Sequence, residues 1–156
     1  MLTSWRSLNR LSEVVMGLKG AIVAAGYGTR FLPVTRVVPK ELLPIVDRPA
    51  IDLVISELVA AGVEEILVVT SRRKRSLDDW FDRDVELEGA LAGDAAKSAR
   101  ARPPEVPVRF VRQARMGGTG DALRLIRSFA GSDPVLVAFP DDLFDVNAAQ
   151  VLVDAW

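Results

Sequence analysis

The sequence predicts an α/β domain, a Rossmann-like three-layer sandwich around a mostly parallel sheet. Three observations carry that prediction. Apolar runs of strand length recur at 20–25, 64–70, 107–113 and within 133–145. Between the first two, Ile51, Val54, Ile55, Leu58 and Val59 fall on one face of a helix. The first, third and fourth runs empty into glycine, glutamine or aspartate, at strand ends where open α/β sheets hold ligands.

Composition narrows the chemistry. At 156 residues, 49% hydrophobic and 26% charged, the chain suits one globular domain, which buries roughly 68–70% of its unfolded surface. We divide it into an extension, 1–19, and a domain, 20–156. A formal charge of −1 gives no general attraction to nucleic acid or to an acidic membrane. No apolar stretch approaches the ~20 residues of a membrane helix, so the expected setting is cytoplasmic, without nucleic-acid or membrane partners. Cysteine and histidine are both absent, which removes disulfides, thiolate metal sites, histidine triads and the usual general base. What remains is phosphate or carboxylate chemistry run by cations and a hard metal ion.

In chain order, Leu2, Trp5, Leu8, Leu11 and Val15 recur at helical spacing. They read as a short amphipathic helix in a dispensable extension, with Met16 as the natural start. Residues 20–25 form the first strand, nearly all apolar, as for a parallel strand covered on both faces. Pro49 opens the helix that follows and Gly62 closes it. The second strand, 64–70, completes a βαβ unit and so a parallel pairing. The run SRRKRS, 71–76, reads as a solvated loop; a nucleotide 2′-phosphate or nucleic acid is the alternative. Leu77, Trp80 and Phe81 make a turn packed on the core, and 84–101 is a loose helical excursion broken by Gly89 and Gly93. The third strand is 107–113; the fourth lies within 133–145, with a last helix beginning near Asn147.

The chemistry concentrates at 21–44, AIVAAGYGTRFLPVTRVVPKELLP. Gly26 and Gly28, without a Cβ, permit positive φ and let the backbone come close to an anion. Arg30 adds a planar fork of donors that matches phosphate oxygens, and Lys40 a second, mobile cation. A Walker loop would need Gly-Lys-Ser/Thr and a Rossmann fingerprint a third glycine. Here Gly28 is followed by Thr29, and Phe31 fills the third-glycine position.

Ala25, Gly26, Gly28, Thr29, Arg30, Pro33, Thr35, Pro39, Lys40 and Pro44 together resemble the signature of the sugar-1-phosphate nucleotidylyltransferases. FLPVTRVVPKELLPIVDRP looks most like the uridylyltransferase branch, with the thymidylyltransferases next. The resemblance resumes at QARMGGTGDAL: Gln113 and Gly118 match residues that read the base in the family. Gln113 has a donor and an acceptor for the mixed edge of uracil or thymine, and Gly120 would let the helix pack closely. The alternative is that Gln113 caps the strand and the glycines only turn the chain. Gly117 and Asp121 depart from the pattern, standing where uridylyltransferases often have a larger residue and a histidine. Asp141 matches the acid that binds Mg²⁺ in the family, against the alternative of an N-cap or Asx turn, while Asp142 reads as fixing the loop.

The resemblance implies a nucleotide-diphospho-sugar transferase type of fold. It also implies formation of UDP-glucose and pyrophosphate from UTP and glucose 1-phosphate, or, as the sister branch would do, thymidylyl transfer from dTTP to the sugar 1-phosphate. Arg30 and Lys40 would be catalytic; Ala25, Gly26, Gly28, Thr29, Gln113 and Gly118 would hold the nucleotide and Asp141 the Mg²⁺. Longer family members also carry a sugar-binding Glu-Lys-Pro segment and a second metal-binding aspartate. No Glu-Lys-Pro occurs here. The sequence therefore reads as a truncated, nucleotide-binding half that transfers nothing alone, completed by a homo-oligomer or a further chain. A non-catalytic nucleotide-binding module is the other class. An NAD(P) domain is disfavoured by the missing glycine and by the lack of an acid after Thr70.

Overall fold

The computed structural model describes residues 17–156. The expected amphipathic helix at Leu2 to Val15 and the start at Met16 lie outside the described residues. Strand β1 (Lys19–Val23) is followed by three 3-10 turns, Thr29–Phe31, Val34–Arg36 and Lys40–Leu42. A two-strand hairpin, β2 (Pro44–Ile45) and β3 (Arg48–Pro49), then leads into helix α1 (Ala50–Ala60). Next come β4 (Glu65–Thr70), α2 (Arg75–Asp79), α3 (Val85–Ala90) and α4 (Ala95–Arg100). The chain continues with β5 (Val108–Arg112), α5 (Gly118–Ala130), β6 (Val135–Ala138) and α6 (Ala148–Ala155).

The main sheet has the order β5-β4-β1-β6 with every pairing parallel; only the small β2–β3 hairpin is antiparallel. All four strands therefore end on the same edge, which gathers the loops that follow them. The central strands β1 and β4 are the apolar runs of the sequence. Ala21, Ile22 and Ile66 to Val69 are buried because helices cover both faces. One face packs Ile51, Val54, Ile55 and Leu58 of α1 with Leu77 and Ala149. The other carries α5 through Ala122 and Ile126, four apart and so on one helical face, against Ala21, Leu67 and Val69. The three-layer expectation is met.

Some particulars differ from the sequence reading. Val59 is half exposed rather than on the core, since it sits at the margin of the stripe set by residues 51, 55 and 58. The excursion at 84–101 resolves into two short helices, each capped by an aspartate. Asp84 Oδ1 accepts from the Leu87 amide at 2.9 Å and Asp94 Oδ1 from the Lys97 amide at 3.0 Å. Helix α6 begins where expected, because Asn147 Oδ1 caps the Gln150 amide at 2.9 Å. Asn147 Nδ2 also donates to the Glu57 carbonyl at 3.1 Å, tying α6 to α1. Among the described residues no strand pairs with the outer edge of β6. An apolar hollow of about 370 Å³ opens beside it, lined by Leu58, Leu136, Phe139, Phe144 and Leu152. No helix among the described residues is long and apolar enough to cross a membrane.

Candidate nucleotide and phosphate site

The site begins where β1 stops. The Ala24 amide still bonds to the Val69 carbonyl at 2.8 Å, so the chain leaves the sheet alongside β4 with Ala24 and Ala25 buried. Gly28 then takes φ +67°, and a Cβ there would lie 3.2 Å from both Lys40 Cβ and Thr35 Cγ2. Its carbonyl accepts from Thr35 Oγ1 at 2.8 Å and from the Phe31 amide at 3.0 Å. Left-handed backbone and close packing thus both require glycine at 28. Gly26 is different: it has no positive φ and open space around it, so its freedom is steric clearance on the exposed side. The exposed Thr29 and Arg30 follow in the first 3-10 turn.

Three distant segments meet on one carboxylate. Lys40 Nζ lies 2.6 Å from Asp141 Oδ2, and Arg30 Nη2 lies 3.9 Å from the same oxygen. The arginine side chain is 87% exposed while those of lysine and aspartate are 14% and 25% exposed. Lys40 is thus held inside the site and Arg30 reaches over it from solvent. Asp141 follows the buried Pro140, and the turn is closed by the Asp142 amide on the Phe139 carbonyl at 3.1 Å. Asp142 itself lines the apolar hollow and pairs with no cation among the described residues.

No group of three metal-ligating side chains forms among the described residues. Asp141 offers a single carboxylate, already balanced by Lys40. Mg²⁺ typically takes one or two carboxylates plus phosphate oxygens and water. The donor set therefore fits a metal that arrives with a polyphosphate, and not a resident one.

Behind this cluster stands a buried ion pair that the sequence reading missed. Lys74 Nζ donates to Glu41 Oε1 at 2.7 Å and Oε2 at 2.8 Å, and to the Ala24 carbonyl. Glu41 is fully buried and Lys74 nearly so. Burial pushes the Lys74 ammonium below the usual lysine range, and the charge and hydrogen bonds of Glu41 pull it partly back. The pair joins the residue beside Lys40 to Ala24, just past the end of β1, so it sets the spacing between Lys40 and the glycine loop. The solvated-loop reading of 71–76 holds for the exposed Arg72, Arg73 and Arg75 and fails at the buried Ser71 and Lys74. The sequence carried no periodic signal of this, since Lys74 is the N-cap of α2 and stands before its first helical residue.

At the far side of β4, the Gln113 amide bonds to the Thr70 carbonyl at 2.8 Å, extending β5 by one residue. Gln113 is buried, and its Nε2 donates to the Gly118 carbonyl at 3.1 Å and to Asp121 Oδ2 at 2.7 Å. Its donor half is therefore already engaged, which amends the expectation that it offers both donor and acceptor. Gly118 has φ +83° at the start of α5. Gly120 has no atom within 4 Å of a notional Cβ, so close helix packing is not its reason.

The comparisons with known proteins identify the family and the fold. The chain is 42% identical over 135 residues to the UTP–glucose-1-phosphate uridylyltransferase of Streptococcus pyogenes, covering 85% of this chain and 44% of that relative. It superposes on the UTP-bound UGPase of Acinetobacter baumannii with a TM-score of 0.76 and 38% identity, covering 86% of this chain and 49% of that one. A UDP-glucose pyrophosphorylase complexed with UDP-glucose gives a TM-score of 0.73 and 39% identity over 90% of this chain and 53% of that one. The chain thus spans about half the length of these relatives. The nucleotidyl transferase family model matches residues 19–155, and the chain belongs to that family.

Proposed function

We propose that the chain is the nucleotide-binding half of a UTP–glucose-1-phosphate uridylyltransferase, working in the cytoplasm and completed by further chain, in cis or from a partner copy. The observation that carries this is the meeting of Arg30, Lys40 and Asp141 beside the glycine turn at Gly28. The likeness to uridylyltransferases supports uracil as the base and glucose 1-phosphate as the acceptor.

In this reading Ala25, Gly26, Gly28 and Thr29 bring backbone donors to the nucleotide, and Gln113 and Gly118 meet the base. Arg30 neutralises the β- and γ-phosphates as they depart, and Lys40 holds phosphate charge at the reacting centre. An oxygen of the sugar phosphate attacks the α-phosphorus in line; the α–β bridging bond breaks and pyrophosphate leaves. The nucleophile is a phosphate with a second pKa near ~6. It arrives ionised at neutral pH, so no protein base is needed, consistent with a chain that contains no histidine. Catalysis then rests on orientation and charge neutralisation. Asp141 would hold a Mg²⁺ carried in with the triphosphate, which would supply Lewis-acid neutralisation of phosphate charge.

Calorimetric titration of the chain with UTP, dTTP and NADP⁺ in the presence of Mg²⁺ tests the reading. The expected result is saturable UTP uptake, weaker dTTP uptake and none of NADP⁺. Preference for NADP⁺, or no nucleotide uptake at all, would sink it. That a single carboxylate stands in the site favours binding without transfer by this half alone. UDP-glucose synthesis by the purified 156-residue chain would overturn that second statement.

A further inference from the structure

Gln113 presents its side-chain amide in one orientation only. Both hydrogens of Nε2 are committed, one to the Gly118 carbonyl and one to Asp121 Oδ2. A peptide carbonyl and a carboxylate oxygen accept and do not donate. Turning the amide end for end would set Oε1 against both of those oxygens, so the neighbours' chemistry imposes the orientation. Oε1 receives no hydrogen bond from the described residues and is left as an acceptor.

Asp121 is itself held in place. It lies in the first turn of α5, where the helix N-terminus favours a carboxylate. A Cβ at Gly117 would come within 2.9 Å of Asp121 Cβ, 3.0 Å of its Cγ and 3.1 Å of its Oδ2. The two positions where the sequence departs from the family pattern are therefore in contact: the glycine leaves the room that the aspartate occupies.

We propose that Asp121 is a positioning residue for base selection. By fixing Gln113 as an acceptor, it makes the site choose a pyrimidine that carries N–H at N3, uracil or thymine, over cytosine, whose N3 accepts. This rests on the reading that Gln113 meets the base. A cytosine would face Gln113 Oε1 lone pair to lone pair and leave both buried acceptors unpaired, the kind of mismatch that costs far more than a missing contact.

The test is paired titration of the chain with UTP and CTP, in wild type, Gln113→Leu, Asp121→Asn and Gly117→Ala, with thermal unfolding of each. Asparagine can face Gln113 with either end of its amide, so it removes the carboxylate's share of the constraint and leaves only the longer bond to the Gly118 carbonyl against turning. The expected wild-type preference for UTP is about tenfold or more. Gln113→Leu abolishes it, and both Asp121→Asn and Gly117→Ala bring the ratio toward one, chiefly by improving CTP. A side-chain role confined to stability would lower both affinities together and leave the ratio unchanged, which would overturn the proposal. If Gln113→Leu abolishes the preference while Asp121→Asn retains it, Asp121 is excluded and the base reading stands. If wild type takes up neither nucleotide, or if Gln113→Leu keeps the preference, the base reading fails and the proposal with it. A second measurement needs no variant to fold except wild type. Solvent exchange of the Gln113 side-chain amide protons should be slower than that of Gln150, whose single bond to Asp154 is exposed; equal exchange would overturn the fixed orientation.

Discussion

Gly28 and Arg30 sit two residues apart and answer to different forces. At Gly28 the left-handed φ and the 3.2 Å approach of Lys40 and Thr35 both exclude a side chain. Gly28→Ala is therefore expected to destabilise the domain by about 1–2 kcal/mol, read as a lower urea midpoint, and to weaken UTP binding by displacing Lys40. Arg30 is mostly in solvent. Arg30→Ala should leave the melting temperature unchanged and lower UTP affinity about tenfold or more, as for loss of a charge-assisted phosphate contact; wild-type affinity in that variant would remove Arg30 from the site. Residue types at these positions were legible in the sequence because glycine and arginine act through their own covalent structure. The partners of Gln113 were not, since the Gly118 carbonyl and Asp121 come within reach only when α5 turns back from the end of β5.

Among the elements, the strands and helix α1 followed from apolar runs and periodicity, because buried parallel strands and one-faced helices leave a one-dimensional pattern; α5 was expected only from the family resemblance, which places a helix after the glycine-rich bend. The 3-10 turns across 29–42 and the β2–β3 hairpin left no such pattern: they are short and shaped by tertiary contacts, the first two turns largely exposed and the third holding the buried Glu41. The same limit hid the Glu41–Lys74 pair, which joins residues 33 apart in sequence. Removing one member strands a buried charge. Glu41→Gln is expected to cost roughly 3–5 kcal/mol in urea unfolding, and Glu41→Met with Lys74→Met together less than the sum of the single changes. Additive losses would mean that the two side chains do not act as a unit. Residual UTP binding should fall in the single variants, since Ala24 and Lys40 lose their common support.

Over the whole molecule, burial is uneven. The sheet is covered on both faces at β1 and β4, whereas β6 has an unpaired outer edge among the described residues and half-exposed Phe144, Val146, Val151 and Leu152 nearby. An uncovered parallel edge beside apolar surface invites pairing. The sedimentation coefficient of the chain is expected to rise with concentration, and Val137→Lys or Leu152→Glu to suppress the rise; a concentration-independent monomer would show the edge to be innocuous. The Lys40–Asp141 contact reaches just as far in its consequences. A lysine held by its own internal counterion attracts stray anions poorly, so inorganic phosphate and metal-free nucleotide must first evict a carboxylate that belongs to the fold. Discrimination is thereby built into the cradle itself. With chelator present, Asp141→Asn should bind UTP more tightly than wild type and lose that affinity more steeply as ionic strength rises. With Mg²⁺ restored the order should reverse, because only a guest that brings its own cation can satisfy both members of the separated pair.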